Sequence, residues 1–160
     1  PLLWSGSNQL TAKEIKVVTG ANSIKYFEMS NNAFIVSQVD SLPQTDSVAQ
    51  LTNVKYNQLK GKDIKGYFVK DTISKVDIIG NAQAVYYIKN EKKKLVGLNR
   101  TDCLSMHVFM KKGELNRVTF ITKPVSTIFP MAEVDPAEHR LKGFAWYGHK
   151  RPKSKGDLLK

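Results

Sequence analysis

Apolar and polar residues alternate in short runs along most of the chain. Leu104, Met106, Val108 and Met110 alternate with Ser105, His107 and Phe109, a period of two that predicts a strand with one covered face. On a regular strand Ile73, Lys75, Asp77 and Ile79 would face one way, and Val76 and Ile78 the other. That mixture predicts a bulge, or two partly covered faces. Residues 33–36 and 85–88 are short runs rich in β-branched and aromatic side chains, as strands prefer. Turn chemistry separates the runs at Thr19-Gly20-Ala21-Asn22, Lys70-Asp71-Thr72, Gly80-Asn81, Lys89-Asn90-Glu91 and Lys112-Gly113. Residues 41–53 are polar and predict a loop or a single turn. The helical signal is Asp135-Pro136-Ala137-Glu138, an N-cap followed by Pro at the first helical position, which predicts a short helix over 136–141. The expected fold is all-β, with roughly ten to twelve strands in hairpin-sized units stacked along one axis.

The chain also repeats itself. Leu10 is followed by Ile15 and Ile24, and Leu59 by Ile64 and Ile73, at identical offsets of 5 and 14. Asn32-Ala33 and Asn81-Ala82 then precede a further apolar run. A looser third unit starts at Leu98, with Cys103 at the offset of 5 and a longer hairpin reaching Leu115. The starting leucines lie 49 and 39 residues apart.

At 160 residues the chain is long enough for one domain with a real core. No apolar run is long enough for a transmembrane helix, and PLLWSGSNQL lacks the basic and apolar regions of a signal peptide. Because it opens on Pro1, the chain is read as a processed or excised piece. Cys103 is the single cysteine, so no internal disulfide forms, and its place in an apolar alternation predicts a buried small hydrophobe. The net charge is +11. Residues 139–160 hold Arg140, Lys142, Lys150, Arg151, Lys153, Lys155 and Lys160 against Asp157, or +6 of it. The expected organisation is a β domain over 1–134, followed by a short helix and a solvated basic tail over 135–160.

Catalytic patterns find little support. His107, His139 and His149 are far apart, and there is no HExxH, paired CxxC or Gly-rich phosphate loop. The acids Asp63, Asp71, Asp77 and Glu114 sit at turns or between lysines. The reading is therefore non-enzymatic, without cofactor or metal. A basic β protein with Tyr67, Tyr86 and Tyr87 near Lys65 and Lys89 is also compatible with base stacking. The placement of over half the excess charge in the tail argues against it, and no nucleic-acid partner is expected.

The unit LxGKDIxGYFxxxxIxKVxIxGNAxxVYY, residues 59–87, resembles the repeat of the OstA-like family of lipopolysaccharide-transport proteins. The resemblance spans roughly residues 4–130 and rests on the strand, turn, strand, Gly-Asn cadence, with Asn31-Asn32 in the first unit and Thr122-Lys123-Pro124 replacing the pair in the third. Residues 122–146 are similar to the closing segment of a longer variant from Gram-negative envelopes. Pro124 cannot donate to a ladder and is expected at an edge or strand end.

The resemblance implies a β-jellyroll of stacked hairpin repeats in the periplasm, binding lipopolysaccharide through acyl chains held in an apolar interior. Its implied partners are lipid A, other OstA-like modules or a second copy joined by edge strands, and outer-membrane assembly proteins. Interior candidates are Ile15, Val17, Ile24, Phe27, Met29, Phe34 and Val36 in unit one; Ile64, Phe68, Ile73, Val76, Ile78, Val85 and Tyr87 in unit two; and Leu104, Met106, Val108, Met110, Leu115, Val118 and Phe120 in unit three. Weaker phosphate candidates are Lys60, Lys62, Lys65, Lys92, Lys93 and Lys94. The strand near Leu10–Val18 is expected to be an open edge that pairs head to tail. The alternatives are a ligand-free spacer or assembly module with a packed core, and the less favoured nucleic-acid binder.

Overall fold

The computed structural model describes residues 1–39, 54–112 and 114–152, with Glu114 and Leu115 described by their backbone alone. The polar stretch 41–53, the turn glycine Gly113 and the tail residues Lys153, Lys155, Asp157 and Lys160 lie outside this range. The strands are β1 (Leu2–Ser5), β2 (Asn8–Thr11), β3 (Glu14–Thr19), β4 (Ile24–Gln38), β5 (Tyr56–Val69), β6 (Thr72–Lys89), β7 (Leu95–Lys111), β8 (Glu114–Ile121) and β9 (Val125–Pro130). They form one antiparallel sheet that is not closed, in the order β1-β2-β4-β5-β6-β7-β8, with β3 on β4 and β9 on β7. Among the described residues nine strands stand against the ten to twelve expected, because the pattern divides long strands into short ones.

The longest strand, β6, has 18 residues and would run about 60 Å if straight. It bends instead. Residues Gly80 and Asn81 both have positive φ, 80° and 48°, and the pairing register with β5 and β7 shifts around them. Asn31 and Asn32 (φ 64° and 56°) do the same inside β4. Thr122 and Lys123 (φ 64° and 48°) do it between β8 and β9. Gly80-Asn81 is thus not a turn between strands but a bend within one. The residue types are the same because both need left-handed backbone, which glycine and asparagine accept most readily. Pro124 falls in the break just before β9, at a strand end as expected.

These bends lie side by side, and they divide the sheet into two wings. The first wing holds β1, β2, β9 and the adjoining halves of β4 to β7. The second holds β3, β8 and the other halves. Leu10 and Ile35 of the first wing form one buried cluster with Phe27, Ile64, Ile78, Met106 and Val108 of the second. Phe27, Ile78, Met106 and Val108 are wholly inaccessible to solvent. A single sheet layer cannot exclude water from its own face, so the wings fold toward each other and cover these residues.

The mixed pattern around Ile73 resolves as a bulge. The pairing steps from Tyr67↔Lys75 to Phe68↔Ile73, leaving Ser74 as the extra residue, with its hydroxyl donating to the Tyr67 carbonyl at 3.1 Å. Both Ile73 and Val76 are thereby buried. Lys70 and Asp71 form a tight hairpin turn with φ of 51° and 63°. The expected helix over 136–141 is a four-residue 3-10 turn, Pro136–His139, capped by the Asp135 carboxylate, which accepts from the Ala137 N–H at 3.2 Å.

The third repeat unit is displaced from its expected register. Leu98 belongs to the cluster on the outside of the first wing, not to the interior. The position equivalent to Leu59 is Thr101: each pairs with Ala84 from opposite sides, and each precedes by five an inward residue, Ile64 or Met106.

Candidate functional site

The inner faces of the two wings are closely packed beside the bend and part toward their free ends, where they enclose a cavity of about 530 Å³. Ile35 and Leu59 line it from the first wing, and Ile73, Val76, Val108 and Met110 from the second. Its open rim is polar: Ser7, Asn8, Ser37, Asn57 and Asn116. Asn8 and Ser37 hydrogen bond to each other across β2 and β4, so the rim is ordered by its own side chains. The Asn57 side-chain Oδ1 accepts from the Tyr87 N–H at 2.9 Å. An apolar chamber of this size with a polar mouth falls within the range of small-ligand sites.

Of the predicted interior residues, Ile15, Phe27, Met29, Ile64, Phe68, Ile73, Val76, Ile78, Met106, Val108, Met110, Val118 and Phe120 do belong to the cluster between the wings. Phe34, Val36, Val85 and Tyr87 do not: they are buried on the outer face of the first wing. Parity explains this, since successive strand residues face opposite sides and both sides of this wing are covered. Three candidates are exposed. Val17 (39%) sits on the edge strand β3, Ile24 (36%) lies at a hairpin tip, and Leu104 (55%) turns outward with Ser105 where β7 bends. The Leu115 side chain lies outside the described residues.

The outer face of the first wing is covered by residues 131–146, part of which was expected to be a solvated tail. Leu141 (2% exposed), Phe144 and Trp146 pack on Tyr56, Val85 and Tyr87. Tyr56 meets Phe144 and Trp146 at ring-centroid distances of 5.0 and 5.1 Å, and Trp4 meets Trp146 edge-on at 5.3 Å. Two buried glutamines pin this strap. Gln58 donates from Nε2 to the His139 carbonyl and accepts at Oε1 from the Leu141 N–H, both at 2.8 Å. Gln9 donates to the Ala145 carbonyl at 2.8 Å and accepts from the Tyr147 N–H at 2.6 Å. Each carboxamide replaces a backbone peptide as a hydrogen-bonding partner, so the strap is held without a paired strand.

The phosphate candidates separate. Lys60 and Lys62 lie beside a hollow on the outside of the bend, together with Lys13. Lys65 is on the outer face of the second wing, 3.6 Å from Glu28 and over the Tyr26 ring at 4.4 Å. Lys92, Lys93 and Lys94 are exposed in the β6–β7 turn, where the Asn90 side chain accepts from the Lys92 and Lys94 N–H groups. The three tyrosines of the base-stacking reading also disperse: Tyr67 lies on the outer face of the second wing, Tyr86 lines the cavity, and Tyr87 is buried beneath the strap. The expected edge is half covered, because β1 pairs with β2. Among the described residues β3, Glu14–Thr19, has a partner on one side only.

Cys103 is buried with its thiol donating to the Ser105 carbonyl at 3.1 Å, and burial is the main cause that raises its pKa. His107 Nδ1 lies 2.5 Å from the Asp77 carboxylate. His139 is buried against Phe129, and burial, reinforced by Arg100, lowers its pKa. Among the described residues no three His, Cys, Asp or Glu side chains gather as metal ligands, and no helix is long and apolar enough to cross a membrane.

The fold and site define a class: a bent, open antiparallel sheet with an apolar chamber between its wings. No family model, curated protein or solved structure matches this chain.

Proposed function

We propose that this chain is a non-catalytic lipopolysaccharide carrier, an OstA-like β-jellyroll module of the periplasm. It holds acyl chain in the chamber between its wings and meets neighbouring modules of its own kind through the open β3 edge. The observation that carries this reading is the cavity of about 530 Å³, walled by Ile35, Leu59, Val76, Val108 and Met110 and rimmed by polar side chains. Each methylene buried there is worth about 0.8 kcal/mol, so about ten give roughly 8 kcal/mol before the costs of binding. Met110 supplies an adaptable wall suited to a flexible chain. The test is extraction and mass spectrometry of the purified chain after exposure to lipopolysaccharide. Acyl-bearing lipid retained through a high-salt wash supports the carrier; its complete loss in the wash removes the reading.

A second reading is a ligand-free spacer between envelope proteins. It is favoured by the inner face beside the bend, where Phe27, Ile64, Ile78 and Met106 are buried by the protein's own side chains. Failure to retain lipid, combined with head-to-tail association in solution, supports the spacer.

A further inference from the structure

On the convex side of the bend, away from the apolar chamber, lies a hollow of about 410 Å³ lined by Lys13, Lys60, Lys62, Asn31, Asn32, Asn81, Gly61 and Gln83. Its side chains are three ammonium groups and four carboxamides, a set rich in hydrogen-bond donors. No carboxylate lines it. Two acids border its hydrogen-bond network: Asp63 accepts from the Asn31 N–H at 3.2 Å, and Asp102 accepts from Gln83 Nε2 at 2.9 Å.

The hollow is built by the repeat. Lys13 and Lys62 are equivalent positions of units one and two, as are Asn32 and Asn81. The left-handed pairs at 31–32 and 80–81 bring both asparagines to the same depression. Gly80 adds a second reason for its own presence, since a Cβ there would stand 3.1 Å from the Lys62 Cβ and crowd that side chain. Lys60 is held in place by its hydrogen bond to the Lys142 carbonyl and by the Phe34 ring beneath it, 5.8 Å from the ammonium.

We propose that this hollow is a binding site for a phosphate ester or pyrophosphate, with Lys13 and Lys62 supplying the charge and Asn32 and Asn81 the neutral donors. Lysine contributes here as a point charge, so binding falls with added salt. The site is independent of the chamber, and it stands or falls separately from lipid carriage.

The experiment uses the whole chain labelled with ¹⁵N. Pyrophosphate is titrated at constant ionic strength, and phosphatidylcholine vesicles with and without phosphatidic acid are tested by co-sedimentation. The double variant Lys13→Gln, Lys62→Gln is run in parallel. Both lysines lie at the surface of the bend, and an unchanged amide spectrum elsewhere verifies the fold. The expected result is a saturable shift centred on residues 13, 32, 62 and 81, weakened at least about tenfold in the double variant. Saturable binding of free pyrophosphate identifies a soluble anion, whereas lysine-dependent sedimentation with phosphatidic acid vesicles alone identifies a lipid headgroup. Shifts spread evenly over the basic residues, or binding unchanged in the double variant, overturn the proposal.

Discussion

Gln9 and Gln58 stand 49 residues apart at the same position of successive repeat units, and each grips the C-terminal strap with both ends of its carboxamide. The repeat therefore does more than build strands. It sets two polar clamps on an otherwise apolar outer wall, at the spacing the strap needs to cross from β5 to β2.

Replacing Gln58 by Leu leaves the His139 carbonyl and the Leu141 N–H buried without partners. The expected cost is about 2–4 kcal/mol from two orphaned groups, read as a lowered urea midpoint. Hydrogen exchange at Leu141 should quicken together with that at Tyr147, since one strap carries both clamps. Loss of protection at Leu141 alone would mean that the clamps act separately.

Gly66 lies opposite Phe27 in the β4–β5 ladder, and a Cβ at 66 would overlap the buried phenyl ring. Gly66→Ala should destabilise the fold by about 1–3 kcal/mol through overpacking. Adding Phe27→Leu should recover part of that loss, because it makes room. Equal midpoints for the single and double variants would contradict the packing assigned to this pair.

Thr122 is β-branched and sits at φ 64°, where the first unit carries Asn31. Thr122→Asn should stabilise the chain by several tenths of a kcal/mol to about 1 kcal/mol, by relieving left-handed strain. A thermal melt measures this. A lowered melting temperature would show that the Thr122 side chain has a role beyond the bend.

His139 gives the stability a pH dependence of definite sign. Its folded pKa lies below the ordinary 6.5, chiefly through burial and then through Arg100, with Glu138 and Asp135 opposing weakly. The unfolded chain therefore binds the proton more readily than the folded one. The stabilising difference is complete above about pH 6.5 and is lost as pH falls through the lowered folded value. Urea unfolding from about pH 7.5 to about pH 5 should show the decline, and His139→Gln should flatten it over the part of that range nearest 6.5.

The alternation of Met106, Val108 and Met110, and the bulge near Ile73, were legible because one covered face imposes period two and a bulge breaks it. The buried thiol of Cys103 was legible for the same reason. The Gly80-Asn81 bend was not, since turn residues inside a long strand have the same composition as turn residues between two strands. Leu98 reads as the start of the third unit because a leucine fits either covered side of the first wing; spacing from Met106 would have chosen Thr101. The strap stayed hidden because Gln9 and Gln58 are polar residues whose partners lie more than 80 positions away in sequence. No local pattern carries such a pairing. For the chamber, the second-wing wall of Ile73, Val76, Val108 and Met110 was among the candidates, but Ile35 and Leu59 of the first wing were not, and the polar rim of Asn8, Ser37 and Asn57 had no signal in the sequence.

The most direct test of the account is site-specific photo-crosslinking with lipopolysaccharide. One probe replaces Met110, which lines the chamber, and the other replaces His107, which pairs with Asp77 on the outer face of the second wing. Crosslinks from position 110 that persist in high salt, with none from 107, are the predicted result. Equal crosslinking from both positions, or from neither, would contradict an acyl chain held between the wings.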